Sequence, residues 1–427
     1  MTQKGAVVSE SDVRTEGASW PVESWQTFIE GRAKKLEQVY SLSPERLVSD
    51  RGRELSTTGD YHGRELLELL QNADDEAPSG DDARVVVELS REGLCVANVG
   101  RPFTCGGLES LMMADNSPKQ YDRARYIGNK GLGFRSVLGW TRRPWISSGN
   151  MVVVFDTDRA RGWLTEVCAR HPHISALVDS QAKQGVAAPI ALLARPFSGI
   201  GSGGAARDVL PLQDATTRLR ADGFDTVIAL PFTEPKAFEQ AREQLARIGR
   251  EVLIFTRHVR SLVVRHPAGS ESWRVKRSDD MIELHRQGFP AERWSVRTTR
   301  GTVPEHALKP DQQRTPEYEI RVGLPESAGV QLRQVLFSYF PTDVRLPLPV
   351  VLHATMELTT NRQHLVKSAV NEFLVPKLAE ALVDAALQET TSASAFSPLE
   401  RVAPAGDVDP MLERMEFGTA LVAAVKA

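Results

Sequence analysis

The sequence has few of the features that mark disulfide-stabilised, zinc-binding or membrane proteins. It contains 3 cysteines in 427 residues, and none of them lies in a C-x-x-C pair. Neither a zinc site nor a disulfide framework is therefore expected, and a reducing, cytoplasmic setting is predicted. No run reaches the roughly 18 uninterrupted apolar residues of a membrane helix. The N-terminus lacks a basic start followed by an apolar run, so no signal peptide is expected.

The chain also lacks an excess of charge of either sign. Its 52 basic and 55 acidic residues are interspersed and give a formal net charge of −3. This balance gives no reason to expect a nucleic-acid or membrane partner. The hydrophobic fraction of 41% is ordinary for a globular protein. The length predicts two or three domains with cores of their own.

Composition and hydrophobic pattern divide the chain into four segments. Residues 1–20 are polar and are predicted to be disordered. Residues 21–265 mix helical and strand patterns, and residues 266–390 are rich in strands. Residues 391–427 are predicted to form a linker and a tail that ends in a short apolar helix. The fold class is therefore predicted as α/β, in two successive domains.

Local patterns predict the elements within these segments. A helix is expected over residues 25–40, with Phe28, Leu36 and Val39 as its buried positions, and residues 180–222 are expected to be irregular. The other predicted elements are a helix at 63–73, a hairpin at 84–98, a helix that begins at 133, strands at 151–155, 226–231 and 261–265, a helix at 237–255, strands at 273–277, 294–298, 318–322, 335–340 and 350–358, and a helix at 367–387.

The strongest local motif is ELLQNADD, residues 68–75. Glu68, Asn72 and Asp75 are spaced i, i+4 and i+7, so a helix places them on one stripe beside an apolar stripe. Such a stripe lines a pocket or, more commonly, forms the solvated face of an amphipathic helix. Taken alone, the segment favours the solvated face.

A glycine-rich segment, YIGNKGLGFRS at residues 126–136, is the second motif. Gly128, Gly131 and Gly133 precede an expected helix start. Glycine backbones can approach a phosphate closely, and a helix N-terminus offers free N–H donors. A plain glycine-rich turn explains the segment equally well.

Two predicted strands carry polar residues at an end. Asn98 and Gly100 follow the hairpin, where a polar side chain and a glycine could face a flat base, although an ordinary strand end is the simpler interpretation. Asp225 and Thr226 lead into a buried strand, a pattern that is common in protein cores.

The order of these motifs carries more information than any one of them. An acidic-and-amide helix, a hairpin ending in Asn-x-Gly, a flexible stretch, a Gly-x-x-Gly-x-Gly turn and a Thr-led strand follow in succession. This order resembles the GHKL, or Bergerat-fold, superfamily of gyrase, heat-shock chaperone, histidine kinase and MutL proteins. ELLQNADD and YIGNKGLGFRS are especially similar to its sacsin-like members. The resemblance covers about residues 60–265 and, more faintly, 345–385. It implies a two-layer α/β sandwich followed by a second strand-rich α/β region.

The resemblance implies roles on the helix and on the hairpin. Asn72 would hold the Mg²⁺ that bridges the phosphates of ATP, Glu68 would polarise the attacking water, and Asp75 would form the pocket wall. Asn98 stands where the family usually has an aspartate that reads the adenine amino group. Its side-chain carbonyl can still accept that hydrogen bond, whereas loss of the charge weakens selection of adenine. Gly100 follows it on the same strand end.

The remaining implied roles concern the phosphates and the lid. The turn at Gly128, Gly131 and Gly133 would wrap the phosphates, and Thr226 would lie near the adenine. Residues 104–127 would form a mobile lid over the nucleotide, with Ser117 and Lys119 as its phosphate-facing residues; a fixed helix pair packed on the core is the alternative.

A basic residue of the second domain reaches the terminal phosphate in related ATPases. Arg362, after a predicted strand and before a helix, is the candidate here, and Lys367 is the second. An ordinary arginine of a surface loop is an equally open interpretation.

The function that the resemblance implies is slow, Mg²⁺-dependent ATP hydrolysis that drives lid closure and a change of conformation or assembly. The alternative is a nucleotide-sensing interaction module with little or no hydrolysis, working through a partner effector. Glu68 favours the enzyme, because a site that only binds needs no base. The expected partners are ATP, a second copy of the chain and a protein client or effector.

Other motifs in the chain are weaker. Gly199, Gly201 and Gly204 match Gly-x-Gly-x-x-Gly, but prolines flank the run where a dinucleotide site needs a strand and a helix. No Walker A sequence is present. His171 and His173 show no metal-ligand spacing with nearby carboxylates and are predicted to be satisfied structural histidines.

Overall fold

The computed structural model describes residues 17–78, 80, 82–113, 133–186, 189–199, 211–308, 317–327, 330–359, 361–389 and 398–427. They form two compact units. The first contains the described residues up to Leu245 together with Val263–Ser270, and the second contains Ala246–Leu262 and the described residues from Glu271 onward. The division therefore crosses the chain more than once, and residues 246–262 belong with the second unit.

Helices and strands alternate through the described residues. The helices are α1 Val22–Leu42, α2 Glu45–Asp60, α3 Glu65–Asp75, α4 Cys105–Met112, α5 Thr157–Arg170, α6 Pro172–Lys183, α7 Gln213–Ala221, α8 Pro235–Ala246, α9 Arg250–Phe255, α10 Ala369–Glu389, α11 Pro398–Val402, α12 Pro410–Arg414 and α13 Phe417–Lys426. The strands are β1 Arg84–Leu89, β2 Gly93–Asn98, β3 Trp145–Ser148, β4 Met151–Val154, β5 Phe197–Ser198, β6 Thr226–Pro231, β7 Ser261–His266, β8 Gly269–Ser278, β9 Met281–Arg286, β10 Glu292–Thr302, β11 Glu317–Pro325, β12 Val335–Ser338, β13 Phe340–Arg345 and β14 Val351–Ala354. Gly133–Gly139 and Glu305–Ala307 are 3₁₀ turns.

The sheet of the first unit runs in the order β1-β2-β6-β3-β4-β5, and each of these neighbours is antiparallel. The predicted hairpin at 84–98 is confirmed, with Leu89 opposite Leu94 and a turn in which the Ser90 amide donates to the Gly93 carbonyl at 2.9 Å. The predicted strand at 226–231 is confirmed as β6, which lies between β2 and β3. The ends of β2, β3 and β6 therefore meet in the middle of the sheet.

Helices cover both faces of this central region, so the expected two-layer arrangement, with helices on one face only, was wrong here. Cys95 and Ala97 of β2 share an apolar cluster with Leu219 of α7. The helix α3 also contacts β2, but none of its residues belongs to that cluster. It therefore packs on the opposite face, to which Val96 and Asn98 point because side chains alternate along a strand.

Several local predictions for the first unit were wrong in detail. On α1 the buried residues are Trp25, Ile29, Ala33 and Tyr40, whereas Val39 is 41% exposed and Phe28 and Leu36 are only half-buried. The side of the helix that faces the core is thus rotated about the helix axis from the predicted one. The polar N-terminal segment is ordered from residue 17, where Trp20 packs edge-on against Trp25; residues 1–16 lie outside the described residues.

The predicted helix at 237–255 is two helices, α8 and α9. Gly249 precedes α9 in an extended conformation, and α8 ends at Ala246. The prediction of an irregular segment at 180–222 was also wrong in part, since it contains the end of α6 and all of α7. In both segments apolar periodicity failed to locate the helix ends, which backbone geometry determined.

The second unit has a mixed sheet in the order β13-β12-β14-β11-β10-β9-β8. The β12–β14 pair is parallel and the other pairs with a determined register are antiparallel. The strand β9 was not predicted, and the predicted strand at 335–340 is interrupted at Tyr339, whose φ is 63°. The predicted strand at 350–358 ends at Ala354.

A helical layer covers one face of this second sheet. Ile320 of β11 and Leu352 of β14 share a buried cluster with Leu378 of α10 and Phe417 of α13. Residues 398–427, assigned from sequence to a linker and tail, thus contribute three short helices to the core. Among the described residues, none of the helices combines the length and the apolar character needed to cross a bilayer. All three cysteines are free thiols.

Candidate functional site

The acidic-and-amide motif lies on α3, on the inner side of the first unit. Glu68 is 5% exposed and Asp75 is buried, and Asn72 between them is half-buried. Glu65 and Asp74 are buried as well. The solvated acidic face that the isolated motif favoured is therefore excluded: these carboxylates lie inside the protein, where a charged group requires partners or a ligand.

Gly133 lies directly against the carboxylate of Glu68. A Cβ atom added at Gly133 would overlap Glu68 Oε2 and lie 2.7 Å from its Cδ. The turn is fixed by the Ser136 hydroxyl, which donates to the Gly133 carbonyl at 2.6 Å. On the other side, Arg64 Nε lies 3.9 Å from Glu68 Oε1. The structure thus brings together the last glycine of the second motif and the first residue of the first motif.

A row of three polar side chains crosses β2, β6 and β3 on the face that α3 covers. Thr226 lies opposite Asn98 on one side and opposite Ser148 on the other. Directly opposed residues of antiparallel strands point to the same face of a sheet. The Ser148 and Thr226 hydroxyl oxygens are 2.6 Å apart, and the Phe103 amide donates to Ser148 Oγ at 2.9 Å. All three side chains of the row are buried.

Gly100 allows the end of β2 to approach the C-terminal end of α3. A Cβ atom at Gly100 would overlap the Glu76 carbonyl oxygen. The next residue, Arg101, donates from its amide to Glu76 O at 2.9 Å and from its guanidinium to Asp75 O at 3.1 Å. This contact brings the helix motif and the strand-end motif together, as the sequence-based interpretation requires.

Asp225 holds the strand ends in place. Its carboxylate Oδ2 accepts a hydrogen bond from the Gly100 amide at 2.9 Å, and its amide donates to Asn98 O at 3.1 Å. Arg220 donates to the carbonyls of Asp225 and Gly149, the latter at 2.8 Å. Burial lowers the pKa of Arg220, against the opposing effect of the Asp225 charge. These contacts make a rigid frame for the polar row.

Other predicted residues lie elsewhere. Ser117, Lys119, Gly128 and Gly131 fall outside the described residues. Arg362 belongs to the second unit, where its φ is 56° and its amide donates to Thr359 O at 2.8 Å.

The segment that begins the predicted lid is a packed helix as far as residue 112. The Thr104 hydroxyl caps α4 by accepting from the Gly107 amide at 3.1 Å, and Cys105, Leu108 and Leu111 are buried. Arg135 donates to Leu111 O at 2.9 Å. Residues 104–113 of the predicted lid thus form a capped helix with a buried apolar side, and residues 114–127 of that prediction lie outside the described residues.

Sequence reasoning missed the role of Ser148. It is the last residue of β3, and the Ser-Ser-Gly sequence there becomes informative only once the register with β6 is known. Two buried side chains that could be mistaken for site residues are structural. Glu65 accepts a hydrogen bond from Gln244 Nε2, and its Oε1 lies 3.1 Å from His62 Nδ1. Glu54 accepts the amides of Leu192 and Leu193 at 2.8 and 2.9 Å.

The predicted structural histidines make protein contacts. His171 Nε2 is 3.0 Å from Glu37 Oε1, and His173 Nε2 is 2.9 Å from Ser41 O. Within the part of the chain that the structure describes, no group of three or more His, Cys, Asp or Glu side chains could hold a metal ion. A metal here would need an amide ligand such as Asn72 together with oxygens of a bound molecule.

No family model matches the chain, and no curated protein matches it.

Proposed function

We propose that the first unit binds ATP with Mg²⁺ in a Bergerat-type pocket of the sacsin-like kind and hydrolyses it slowly. The observation that carries the proposal is the convergence of separate motifs. The Glu68 helix, the Gly133 turn, the Asn98 strand end and the Thr226 strand lie far apart in sequence and adjoin in one unit. An accidental set of core motifs has no reason to place its polar residues on a shared buried face.

The residues fit an adenine nucleotide at one end of this face. Asn98 and Thr226 offer an amide and a hydroxyl side by side, and buried polar groups of this kind are ordinarily paired. The glycine at position 133 lets the turn approach the Glu68 carboxylate, with which a side chain at that position would overlap. A base at the polar row and phosphates near the 133 turn would use both features.

The metal fits the same helix. Asn72 lies one turn after Glu68 on α3, half-buried. Mg²⁺ prefers oxygen ligands and retains several waters, so one amide oxygen and phosphate oxygens suffice to hold it. Bound there, the ion would neutralise negative charge that develops on the phosphates.

Glu68 is the candidate general base. Its carboxylate would orient and deprotonate the attacking water, and Arg64 beside it would fix the side chain's position. Asp75 would form the pocket wall, and the 133 turn would present backbone N–H groups to the phosphates.

A nucleotide-sensing module with little hydrolysis is the second candidate. The observation that favours it is the close approach of Gly133 to Glu68, which leaves the carboxylate 5% exposed. We infer that this turn would have to move before a water could reach the carboxylate. If the turn moves only when a partner binds, the isolated chain binds ATP without hydrolysing it. Any change of conformation or assembly would then be caused by ATP binding and not by hydrolysis.

Two measurements on the purified chain test the proposal. Titration calorimetry with ATP and Mg²⁺ should detect saturable binding, and a phosphate-release assay should detect slow turnover. Absence of binding at millimolar ATP overturns the proposal as a whole. Binding without phosphate release supports the sensing module over the ATPase.

A further inference from the structure

The hydroxyl groups of Ser148 and Thr226 form a hydrogen-bonded pair on the polar row. Their oxygens are 2.6 Å apart, and Ser148 Oγ also accepts the Phe103 amide at 2.9 Å. Ser148 is 1% exposed and Thr226 is 4% exposed. The pair therefore lies between Asn98, the candidate contact to the adenine, and Phe103, the residue before the Thr104 cap of α4.

Counting hydrogens shows that the pair is incomplete by itself. The Phe103 amide and the two hydroxyls supply three hydrogens, whereas two hydrogen bonds use only two of them. Among the described residues, none accepts the third. A buried hydroxyl hydrogen with no acceptor costs free energy, so it belongs on the hydroxyl that a ligand or water can reach.

The hydrogen bond from the Phe103 amide affects which hydroxyl carries the unpaired hydrogen. That bond uses one lone pair of Ser148 Oγ, and Ser148 is the more deeply buried of the two residues. If Ser148 donates to Thr226 Oγ1, its own hydrogen is used and the remaining one lies on Thr226. The opposite direction would strand a hydrogen on Ser148, inside the sheet. Ser148 therefore makes Thr226 a hydrogen-bond donor toward the pocket.

Asn98, directly opposite Thr226, complements this donor. Its Nδ2 donates to the Val99 carbonyl in a long hydrogen bond of 3.4 Å, which turns Oδ1 the other way as an acceptor. The row then presents an acceptor beside a donor. Adenine presents the matching pattern on its Watson–Crick edge, an amino donor beside a ring-nitrogen acceptor, whereas guanine presents a carbonyl acceptor beside an N–H donor.

We propose that Ser148 determines base selectivity by holding the Thr226 hydroxyl as a donor beside the Asn98 amide oxygen. This inference rests on the proposed function. It explains how the pocket selects adenine although Asn98 lacks the negative charge of an aspartate. Ser148 does not touch the base in this arrangement. It is a positioning residue that acts through Thr226.

The test compares nucleotides on Ser148 variants. Dissociation constants of Mg²⁺ complexes of ATP and GTP are measured for the wild type, Ser148→Ala and Ser148→Thr, with inorganic tripolyphosphate as the probe of the phosphate subsite. Ser148→Ala removes the donor, so Thr226 can donate or accept equally well. One neutral hydrogen bond contributes about threefold to tenfold in affinity, and the preference for ATP over GTP should fall by that factor.

The controls separate selectivity from folding. Ser148→Thr keeps the hydroxyl and should keep the preference, and tripolyphosphate affinity should stay the same in every variant. Amide exchange at Phe103 should become faster in Ser148→Ala without any nucleotide, because its acceptor is gone. Should Ser148→Ala fail to fold, Ser148→Cys keeps the shape with a weaker donor and should lower the preference less.

The outcomes distinguish the inference from the function on which it rests. If Ser148→Ala binds ATP and GTP with the wild-type ratio, or if both affinities fall equally, Ser148 is only structural and the inference is wrong. If the wild type binds neither nucleotide, the proposed function fails first and takes the inference with it. A reduced ratio with unchanged tripolyphosphate binding supports both.

Discussion

Two buried asparagine side chains, one in each unit, differ in their hydrogen bonds. In the second unit, Asn371 accepts from the Glu357 amide at 2.7 Å and donates to the Glu357 and Val366 carbonyls, each at 2.7 Å. In the first unit, the side chain of Asn98 makes one long hydrogen bond of 3.4 Å within the described part of the chain, to the Val99 carbonyl. Both side chains are buried. The first arrangement satisfies an asparagine for stability, and the second leaves hydrogen-bonding capacity for another molecule.

Buried carboxylates of the two units also differ in how far they lie from a guanidinium group. Glu319 of the second unit is contacted by Arg300 at 2.8 Å and Arg321 at 2.9 Å. The guanidinium beside Glu68 in the first unit, that of Arg64, is 3.9 Å away, and the carboxylate adjoins a glycine turn. Burial of a polar group is therefore a poor guide to function by itself, and the quality of its hydrogen bonds is a better one.

The largest expected effect is a loss of ATP turnover, and it tests the comparison between the carboxylates of Glu68 and Glu319. Glu68→Gln should retain ATP binding and lose turnover by about a hundredfold to ten-thousandfold, the usual contribution of a general base. Glu319→Gln is the matched control and should keep the wild-type turnover per folded molecule. Phosphate release at saturating ATP measures both. Wild-type turnover in Glu68→Gln would make Glu68 structural, and Glu65 would not replace it because Gln244 and His62 already engage it.

The asparagine pair should separate stability from binding. Asn371→Ala removes three short hydrogen bonds and leaves buried partners behind, so the free energy of unfolding should fall by about 3 kcal/mol. Asn98→Ala should lower it by less than about 1 kcal/mol, while weakening ATP binding. Urea unfolding and calorimetry on both variants check this. Equal loss of stability in the two would show that the comparison is wrong.

A smaller effect is expected at the metal. Asn72→Ala should weaken ATP binding in the presence of Mg²⁺ by at least about tenfold, since even outer-shell partners of a metal contribute roughly tenfold to a hundredfold. Binding measured with excess chelator should change little between the variant and the wild type. If the variant binds Mg²⁺-ATP as tightly as the wild type, Asn72 is not a ligand of the metal.

The last expected effect is on the acid stability of the second unit. Burial raises the pKa of Glu319, but the charges of Arg321 and Arg257 and the hydrogen bond from Arg300 outweigh it and lower the pKa from its usual 4.5 to about 2. A depressed folded-state pKa gives stability that is present above the unfolded value and is lost as pH falls through the folded value. This contribution, at most about 3 kcal/mol, should therefore disappear between roughly pH 5 and pH 2.

The control for this dependence is Glu319→Gln, which carries no proton to gain. Its unfolding free energy should be lower near neutral pH and should fall less steeply below pH 5 than that of the wild type. Parallel acid profiles for the two proteins would mean that other carboxylates account for the acid transition. Urea midpoints at several pH values provide the measurement.

Much of the first unit could be predicted from its sequence. The hairpin at 84–98 and β6 at 226–231 were found because alternating or continuous apolar runs between turn residues determine strands locally. The residues Glu68, Asn98, Gly133 and Thr226 were also identified from their motifs. Their individual motifs were ambiguous, because a local pattern carries no information on which face of which element it will meet.

The sequence by itself determined which residue types stand at each element end, and thereby the candidate site. Only the tertiary structure decided that Gly133 abuts Glu68, that Thr226 lies between Asn98 and Ser148, and that α8 and α9 are separate helices. These facts depend on strand register and on close backbone approach, which are set by contacts between residues far apart in the chain. Ser148 had no motif of its own, and only the register of β3 with β6 places it beside Thr226.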